Sequence, residues 1–235
     1  MGASGRLGRL IVSAVMAAPD AVLSAALTHD TSGAIGEKIA GSELVVAPLS
    51  LAALEGADVL IDASLPSGLS EILSLGGSIP VVSGTTGCDA ALLAKVSEAS
   101  AHRPLLHTAN FTAGVTLLTR LAAMAAVALP DYEVALSETH HVHKKDAPSG
   151  TALVLADAIG AARKVNRAEF SIESHRLEEV VGEHTVSLIG PTEQITLGHV
   201  ATDRAAFAVG ALRAARYLVG KPAGRYTMSD VLGLD

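Results

Sequence analysis

The first half of the chain alternates between two patterns of hydrophobic positions. Short, nearly continuous apolar runs are typical of strands buried on both faces of a sheet, and they fall at 22–28, 58–62, 80–83 and 105–108. Apolar residues recur at helical spacing between these runs, at 6–18, 66–75 and 89–101. Strands that alternate with helices predict an α/β domain with a doubly wound parallel sheet, ending near residue 111.

The pattern changes after Asn110. Helices are predicted over 112–129 and 149–162, separated by a strand at 132–138 and a histidine-rich loop. Two alternating runs, at 180–189 and 194–200, predict strands of a mostly antiparallel sheet. A closing helix is predicted over 204–218. We therefore expect a second, smaller α/β domain over residues 112–203.

Composition narrows the class of protein and of partner. Of the 235 residues 49% are hydrophobic, which excludes a disordered chain. The net charge of -7 argues against nucleic acid or an anionic membrane as a partner, because both require a basic surface. The longest apolar segment is interrupted by Arg120, so we expect no membrane span. The single cysteine, Cys88, excludes an internal disulfide and indicates a reducing compartment, so we expect a cytoplasmic protein.

Three glycines lie three residues apart where the first predicted helix begins. Gly2, Ala3, Ser4, Gly5, Arg6, Leu7 and Gly8 form a segment whose backbone N–H groups can approach a pyrophosphate at the positive end of the helix. A tight turn packed against a sheet is the alternative interpretation. Arg6 and Arg9 before an apolar run also resemble a secretory signal, but a signal has no use for this glycine spacing.

The residue that contacts the ribose of a bound dinucleotide is expected about 20 residues beyond the last glycine, and in NAD-binding proteins it is acidic. Here that position is Thr28, at the end of a predicted strand. Either Asp30 hydrogen-bonds the ribose, or His29 with a nearby arginine accepts a 2′-phosphate. The sequence therefore leaves NADH and NADPH both open as the cofactor.

A second glycine cluster follows a predicted strand and precedes a helix. It contains Gly84, Thr85, Thr86 and Gly87, at the carboxyl edge of the sheet, where doubly wound folds bind ligands. A cofactor contact and an ordinary strand-to-helix loop are both compatible with this pattern.

The segment from Ser137 to Ala152 carries the densest set of reactive side chains. Adjacent residues of an extended chain point to opposite sides, so His140 and His141 do not easily share a zinc ion, and we expect no metal site. His140 titrates near neutrality and can move a proton, while Lys144 offers a positive charge to a carboxylate. Ser149 then opens a helix whose free N–H groups form a second anion site. A solvated polar loop with a capping serine is the alternative.

Three blocks together resemble one enzyme family. They read GASGRLG at 2–8, SGTTG at 83–87 and ETHHVHKKDAPSGTA at 138–152, with TANF at 108–111 near the predicted domain boundary. The chain is thus similar to the 4-hydroxy-tetrahydrodipicolinate reductases, also called dihydrodipicolinate reductases, of the bacterial diaminopimelate and lysine pathway.

The resemblance implies a fold and an activity. It implies a Rossmann-like cofactor domain over 1–111, rejoined by 204–235, and a domain over 112–203 that binds substrate and assembles a homotetramer. It also implies hydride transfer from NADPH or NADH to a cyclic conjugated imine derived from a small dicarboxylate substrate.

The resemblance also assigns residues to roles. His140 is expected to be the catalytic acid, with Lys144 as companion donor, and His141, Gly150 and Thr151 are expected to hold the carboxylates of the substrate. The residues expected to contact the cofactor are Gly2, Ala3, Ser4, Gly5, Arg6, Leu7, Thr28, Gly84, Thr85, Thr86, Thr108, Ala109, Asn110 and Phe111.

The chain departs from the family pattern at its beginning. The family has a strand before the first glycine, whereas only Met1 precedes Gly2 here. That strand is central in a Rossmann sheet, so we expect its neighbours to lack a partner and the true start to lie upstream. Two rival functions remain: a different two-domain dehydrogenase acting on a sugar or amino acid, and a cofactor-binding regulator without catalysis.

Overall fold

The computed structural model describes residues 1–234, which form two compact units. The first contains Met1–Thr112 and Ala205–Gly233, and the second contains Ala113–Arg204. Among the described residues, no helix combines the length and the hydropathy needed to cross a membrane.

The first unit is built on short parallel strands. These are β1 (Ala26–Thr28), β2 (Val46–Pro48), β3 (Leu60–Asp62), β4 (Val81–Ser83), β5 (Pro104–His107) and β10 (Gly224–Tyr226). Its α-helices are α1 (Arg6–Ala17), α2 (Pro66–Ser74), α3 (Ala90–Ser100), α6 (Ala205–Leu218) and α7 (Met228–Leu232). The strands form two sheets, β1-β2 and β10-β5-β4-β3, and every pairing in them is parallel.

Helices cover both faces of the larger sheet, because neighbouring strand residues point to opposite sides. Val82 packs into a core shared with α1 and α6. Val81, the preceding residue, packs into a second core shared with α2 and α3. This is the Rossmann-like, doubly wound arrangement that the alternating pattern predicted, and the prediction is confirmed.

Residues Met1 to Ala3 lie between the two sheets of this unit. The backbone nitrogen of Met1 donates to the Ile61 carbonyl at 2.6 Å, and its carbonyl accepts from the Ala63 nitrogen at 3.0 Å. The Ala3 nitrogen donates to the Leu27 carbonyl at 3.0 Å. These residues therefore hydrogen-bond to β1 on one side and to the end of β3 on the other, while β1 and β3 do not pair with each other.

The second unit is a four-stranded sheet with two helices. Its strands are β6 (Glu133–His140), β7 (Ser171–Arg176), β8 (Gly182–Ile189) and β9 (Gln194–Ala201), and its helices are α4 (Ala113–Ala128) and α5 (Gly150–Arg163). The order is β7-β6-β8-β9, with β6 and β7 parallel and the other pairs antiparallel. The predicted mostly antiparallel sheet is confirmed.

One face of this sheet forms the core of the second unit. Val134 and Leu136 of β6 pack with Val186 and Leu188 of β8 against both helices. The alternation of β6 continues through Glu138 and His140, which are buried on the same face. A carboxylate and an imidazole thus occupy positions that elsewhere in the strand hold core residues.

The sequence pattern did not predict β7, and it predicted a longer β1 than the structure contains. β7 reads Ser-Ile-Glu-Ser-His-Arg, which contains no apolar run to signal a strand, and it lies at the edge of its sheet. The strand predicted from residue 22 begins only at Ala26, and Val22 is exposed. An apolar run is paired only where a neighbouring strand, here β2, lies beside it.

Candidate active site

The glycine turn of the first unit depends on close backbone contacts. Gly2 has φ +80°, and a Cβ there would lie 2.7 Å from the Ala63 carbonyl oxygen. A Cβ on Gly8 would lie 1.9 Å from the Gly2 carbonyl oxygen. No larger residue fits at either position without moving the backbone. The spacing of these glycines is therefore a steric requirement of the turn.

The start of α1 is open to an anion. Gly5 is its N-cap residue and offers no side chain to cap the helix. The first N–H groups of a helix lack intrahelical partners and carry the positive end of its dipole. Ser4 and Arg6 flank this end of the helix, and Arg6 is exposed. This uncapped, glycine-lined helix start fits the pyrophosphate of a dinucleotide.

The second glycine loop is held by a buried carboxylate. Asp62, at the end of β3, accepts hydrogen bonds from the Ser83 hydroxyl at 2.7 Å and the Thr85 hydroxyl at 2.8 Å. The Thr85 side chain is therefore engaged inside the protein, and Thr86 is exposed. Gly84 packs against the ring of Phe111, where a Cβ would lie 2.4 Å from a ring carbon.

The segment from Thr108 to Phe111 lies beside this loop. The Thr108 nitrogen donates to the Ser83 carbonyl at 3.0 Å, and the Thr108 hydroxyl donates to the Asn110 carbonyl at 2.9 Å. Ala109 is exposed, whereas Phe111 is buried. The structure thus brings 84–86 and 108–111 together at one edge of the sheet, and Thr28 is buried at the end of β1.

In the second unit, His140 is paired with a buried carboxylate. The Nδ1 atom of His140 makes a short hydrogen bond with Oε2 of Glu138. This bond leaves Nε2 as the ring atom available for chemistry, next to Gly182, where a Cβ would lie 3.1 Å away. A carboxylate on one ring nitrogen fixes the orientation of the imidazole and stabilises its protonated form.

Arg176 holds the other oxygen of the same carboxylate. Its Nη2 atom donates to Oε1 of Glu138 at 3.0 Å and to the Asp146 carbonyl at 2.5 Å, and its Nε atom donates to the Lys144 carbonyl at 3.3 Å. The guanidinium thus connects the buried glutamate to the loop that carries Lys144.

The pKa values of this pair follow from burial and from charge. Burial lowers the pKa of His140 below its ordinary value, and Lys144 and Arg176 act in the same direction, while Glu138 opposes them. Burial alone raises the pKa of Glu138, but the neighbouring Ser174 hydroxyl, Arg176 and His140 outweigh it and lower the pKa. Glu138 is therefore ionised at neutral pH.

The loop after β6 presents a cation beside a helix start. The Lys144 ammonium contacts the Asp146 carboxylate at 2.8 Å and lowers the pKa of that group. Gly150 and Thr151 are the first residues of α5, and the Ser149 hydroxyl caps the helix by accepting from the Ala152 nitrogen at 3.2 Å. His141 is half-buried, and burial followed by the charge of Arg204 lowers its pKa.

A second buried histidine adjoins the pair. The His184 ring lies edge-on to the His140 ring, with 5.1 Å between centroids, and its Nε2 atom is 3.3 Å from the Ser149 hydroxyl. Burial lowers the pKa of His184 to about 4, helped by the charges of His140 and His199. His184 is therefore a neutral imidazole at physiological pH.

Sequence reasoning did not assign roles to Glu138, Arg176 or His184. Glu138 lies two residues before His140 in β6, and side chains two apart in a strand share a face. This spacing could have indicated that the two side chains lie together. Arg176 and His184 reach the site only because β7 and β8 both pair with β6, His184 standing directly opposite Glu138. Nothing in the local sequence of these strands indicates that pairing.

The fold of the first unit and the side chains of the second are those of a Rossmann-like oxidoreductase whose acid–base residues lie in a separate unit. Residues 1–111 match the family model described as "Dihydrodipicolinate reductase, N-terminus", and residues 114–232 match "Dihydrodipicolinate reductase, C-terminus". The chain belongs to the dihydrodipicolinate reductase family. Its predicted family, its enzyme class as an NAD(P)-dependent oxidoreductase and its nicotinamide cofactor are thereby confirmed.

Individual relatives agree over nearly the whole chain. The 4-hydroxy-tetrahydrodipicolinate reductase of Thiobacillus denitrificans is 38% identical over 259 residues, covering 99% of this chain and 97% of that protein. The protein of the same name from Xanthomonas euvesicatoria is 42% identical over 239 residues, covering 98% and 95%. Dipicolinate-bound dihydrodipicolinate reductase from Paenisporosarcina sp. TG-14 shares the fold, with a TM-score of 0.79 at 24% identity over 96% of this chain and 95% of that one.

Proposed function

We propose that this chain reduces 4-hydroxy-tetrahydrodipicolinate to tetrahydrodipicolinate with NADH or NADPH, in diaminopimelate and lysine biosynthesis. The buried Glu138–His140 pair next to Lys144 and the start of α5 carries this proposal, because it combines a proton donor with donors for an anion. The names of the relatives in Thiobacillus and Xanthomonas support the same substrate.

The first unit supplies the cofactor site in this proposal. Gly2 to Leu7 would hold the pyrophosphate through the open start of α1, and Thr28 would lie near the ribose. Residues 84–86 and 108–111 would line the nicotinamide side, with Thr85 and Phe111 contributing through their backbone and packing. When bound, the reduced nicotinamide supplies a hydride.

His140 supplies the proton that the reduction requires. Loss of the 4-hydroxyl group as water leaves a carbon–carbon double bond conjugated with the ring imine. Hydride addition to that double bond leaves an electron-rich carbon, which must accept a proton to complete the reduction. The Glu138 carboxylate holds Nδ1, so the proton is delivered from Nε2. As in other acid–base sites, this carboxylate keeps the ring in one orientation and stabilises its charged form until transfer occurs.

Lys144, His141, Gly150 and Thr151 would bind the two carboxylates of the substrate. The contact between Lys144 and Asp146 supports this role, because the ammonium already binds a carboxylate, and the backbone of Gly150 also lowers the pKa of Asp146. The relative from Paenisporosarcina is a complex with dipicolinate, itself a dicarboxylate. A substrate carboxylate would displace Asp146 from Lys144.

We also propose that the protein lies in the cytoplasm and that it forms a homotetramer. The proposed tetramer contact is on the sheet of the second unit. There α4 and α5 pack on one face, and the opposite face carries half-buried small polar residues such as Ser137 and Thr185. A face of small polar side chains suits pairing with another copy. Thr185→Arg is expected to lower the mass measured by light scattering, and an unchanged tetrameric mass would exclude this face.

The test of the reductase is oxidation of NADH or NADPH by the purified chain when the pathway's synthase supplies fresh substrate. His140→Gln is expected to lower kcat by about 10²–10⁴-fold and to change cofactor and substrate binding little, because the proton is needed in the transition state. His143→Gln, an exposed neighbour, is the control and should keep its activity. Equal losses in turnover and binding would contradict the role of His140.

A further inference from the structure

An acidic clamp surrounds the histidine that follows β1. The His29 Nδ1 atom lies 2.8 Å from Oδ1 of Asp30, and its Nε2 atom lies 2.7 Å from Oε1 of Glu71. Glu71 belongs to α2, so two separate parts of the first unit supply the carboxylates. Among the described residues, no lysine or arginine forms an ion pair with either carboxylate.

The clamp lies where a dinucleotide's adenosine ribose is expected. The Ala3 nitrogen hydrogen-bonds the Leu27 carbonyl at 3.0 Å, so the glycine turn runs beside the end of β1, two residues before His29. In Rossmann-like domains a carboxylate at this strand end binds the ribose 2′-hydroxyl, and an arginine accommodates a 2′-phosphate. All three side chains of the clamp are partly exposed and can be reached by a ligand.

The charge of the clamp is negative in either state of the histidine. Two carboxylates stand against at most one positive charge, and His29 is already engaged on both ring nitrogens. A 2′-phosphate brings about two further negative charges to the same place. Like charges brought together in this way repel, whereas a ribose hydroxyl can donate a hydrogen bond to either carboxylate.

We propose that Asp30 and Glu71, arranged around His29, make this chain prefer NADH to NADPH. This inference rests on the proposed cofactor site in the first unit. It assigns the discrimination to Glu71 as well as to the strand-end residues, although Glu71 lies on a different element.

The test is direct binding of NADH and NADPH, measured by calorimetry without substrate. The chain is expected to bind NADH at least about tenfold more tightly than NADPH. The double variant Asp30→Asn with Glu71→Gln should reduce that ratio to about threefold or less, mainly by tightening NADPH. Glu98→Gln, an exposed glutamate of α3 in the same unit, is the matched control and should leave the ratio unchanged.

Salt supplies a second readout. Repulsion between exposed charges is screened at high ionic strength, so the preference for NADH should shrink as salt is added to the wild-type protein and not to the double variant. Equal binding of the two cofactors, or an unchanged ratio in the double variant, would overturn the inference. Binding of neither cofactor would overturn the proposed function and this inference with it.

Discussion

The glycine turn of the first unit and the histidine site of the second are built from different parts of the chain. The turn is made of backbone, with its donors at an uncapped helix start and its shape set by Gly2 and Gly8. The histidine site is made of side chains, with His140, Glu138 and Arg176 in one buried hydrogen-bonded network. The first site should therefore be sensitive to added volume, and the second to changes of charge.

The largest effect is expected from added volume in the turn. In Gly8→Ala the new methyl group would lie 1.9 Å from a backbone oxygen, which no side-chain rotation can relieve. NADH binding should weaken by more than about 100-fold, as measured by calorimetry. Gly33→Ala, where no heavy atom lies within 4 Å of the added carbon, is the control. Wild-type affinity in Gly8→Ala would show that the turn does not set the cofactor site.

Lowering the pH should destabilise mainly the second unit. Burial lowers the pKa of His184 to about 4 from an ordinary 6.5, so the unfolded chain binds this proton at higher pH than the folded chain does. Stability is therefore lost as the pH falls through this interval, and His184 alone should lower the free energy of unfolding by about 3 kcal/mol. Burial lowers the pKa of His140 and His199 too, so both act in the same direction.

Urea unfolding at about pH 7 and about pH 4.5 measures this loss. His184→Gln should show a smaller difference between the two values than the wild type, and His175→Gln, which alters an exposed histidine, should not. Hydrogen exchange should show β6 and β8 losing protection before β4 and β5. Simultaneous loss of protection in both units would contradict the expectation that acid destabilises the second unit first.

A smaller effect is expected from removing the charge of Glu138. Glu138→Gln keeps the shape of the side chain but no longer stabilises protonated His140, so the pKa of His140 falls further. The kcat should fall about tenfold, and its decline on the alkaline side should begin at lower pH. Glu138→Asp should restore part of the rate. An unchanged pH profile in Glu138→Gln would leave the glutamate a purely structural role.

Local sequence was enough for the elements whose signal is contiguous. α1 and α3 begin and end within one residue of their predicted bounds, because a glycine turn and the Asp89 cap mark their starts. His140 and Lys144 could be chosen from one short segment for the same reason. β2, β7 and β10 were missed, and each takes its pairing from elsewhere in the chain.

The sequence by itself determined the family, the alternation of strands and helices, and the glycine turn, since each depends on residues close together in the chain. The tertiary structure decided which side chains surround His140. Arg176 lies 38 residues beyond Glu138 and reaches it through the parallel register of β6 and β7. Likewise, Glu71 meets His29 only through the packing of α2 beside the end of β1. Burial and strand register arise from contacts between distant segments, and a local pattern of hydrophobic residues does not contain them.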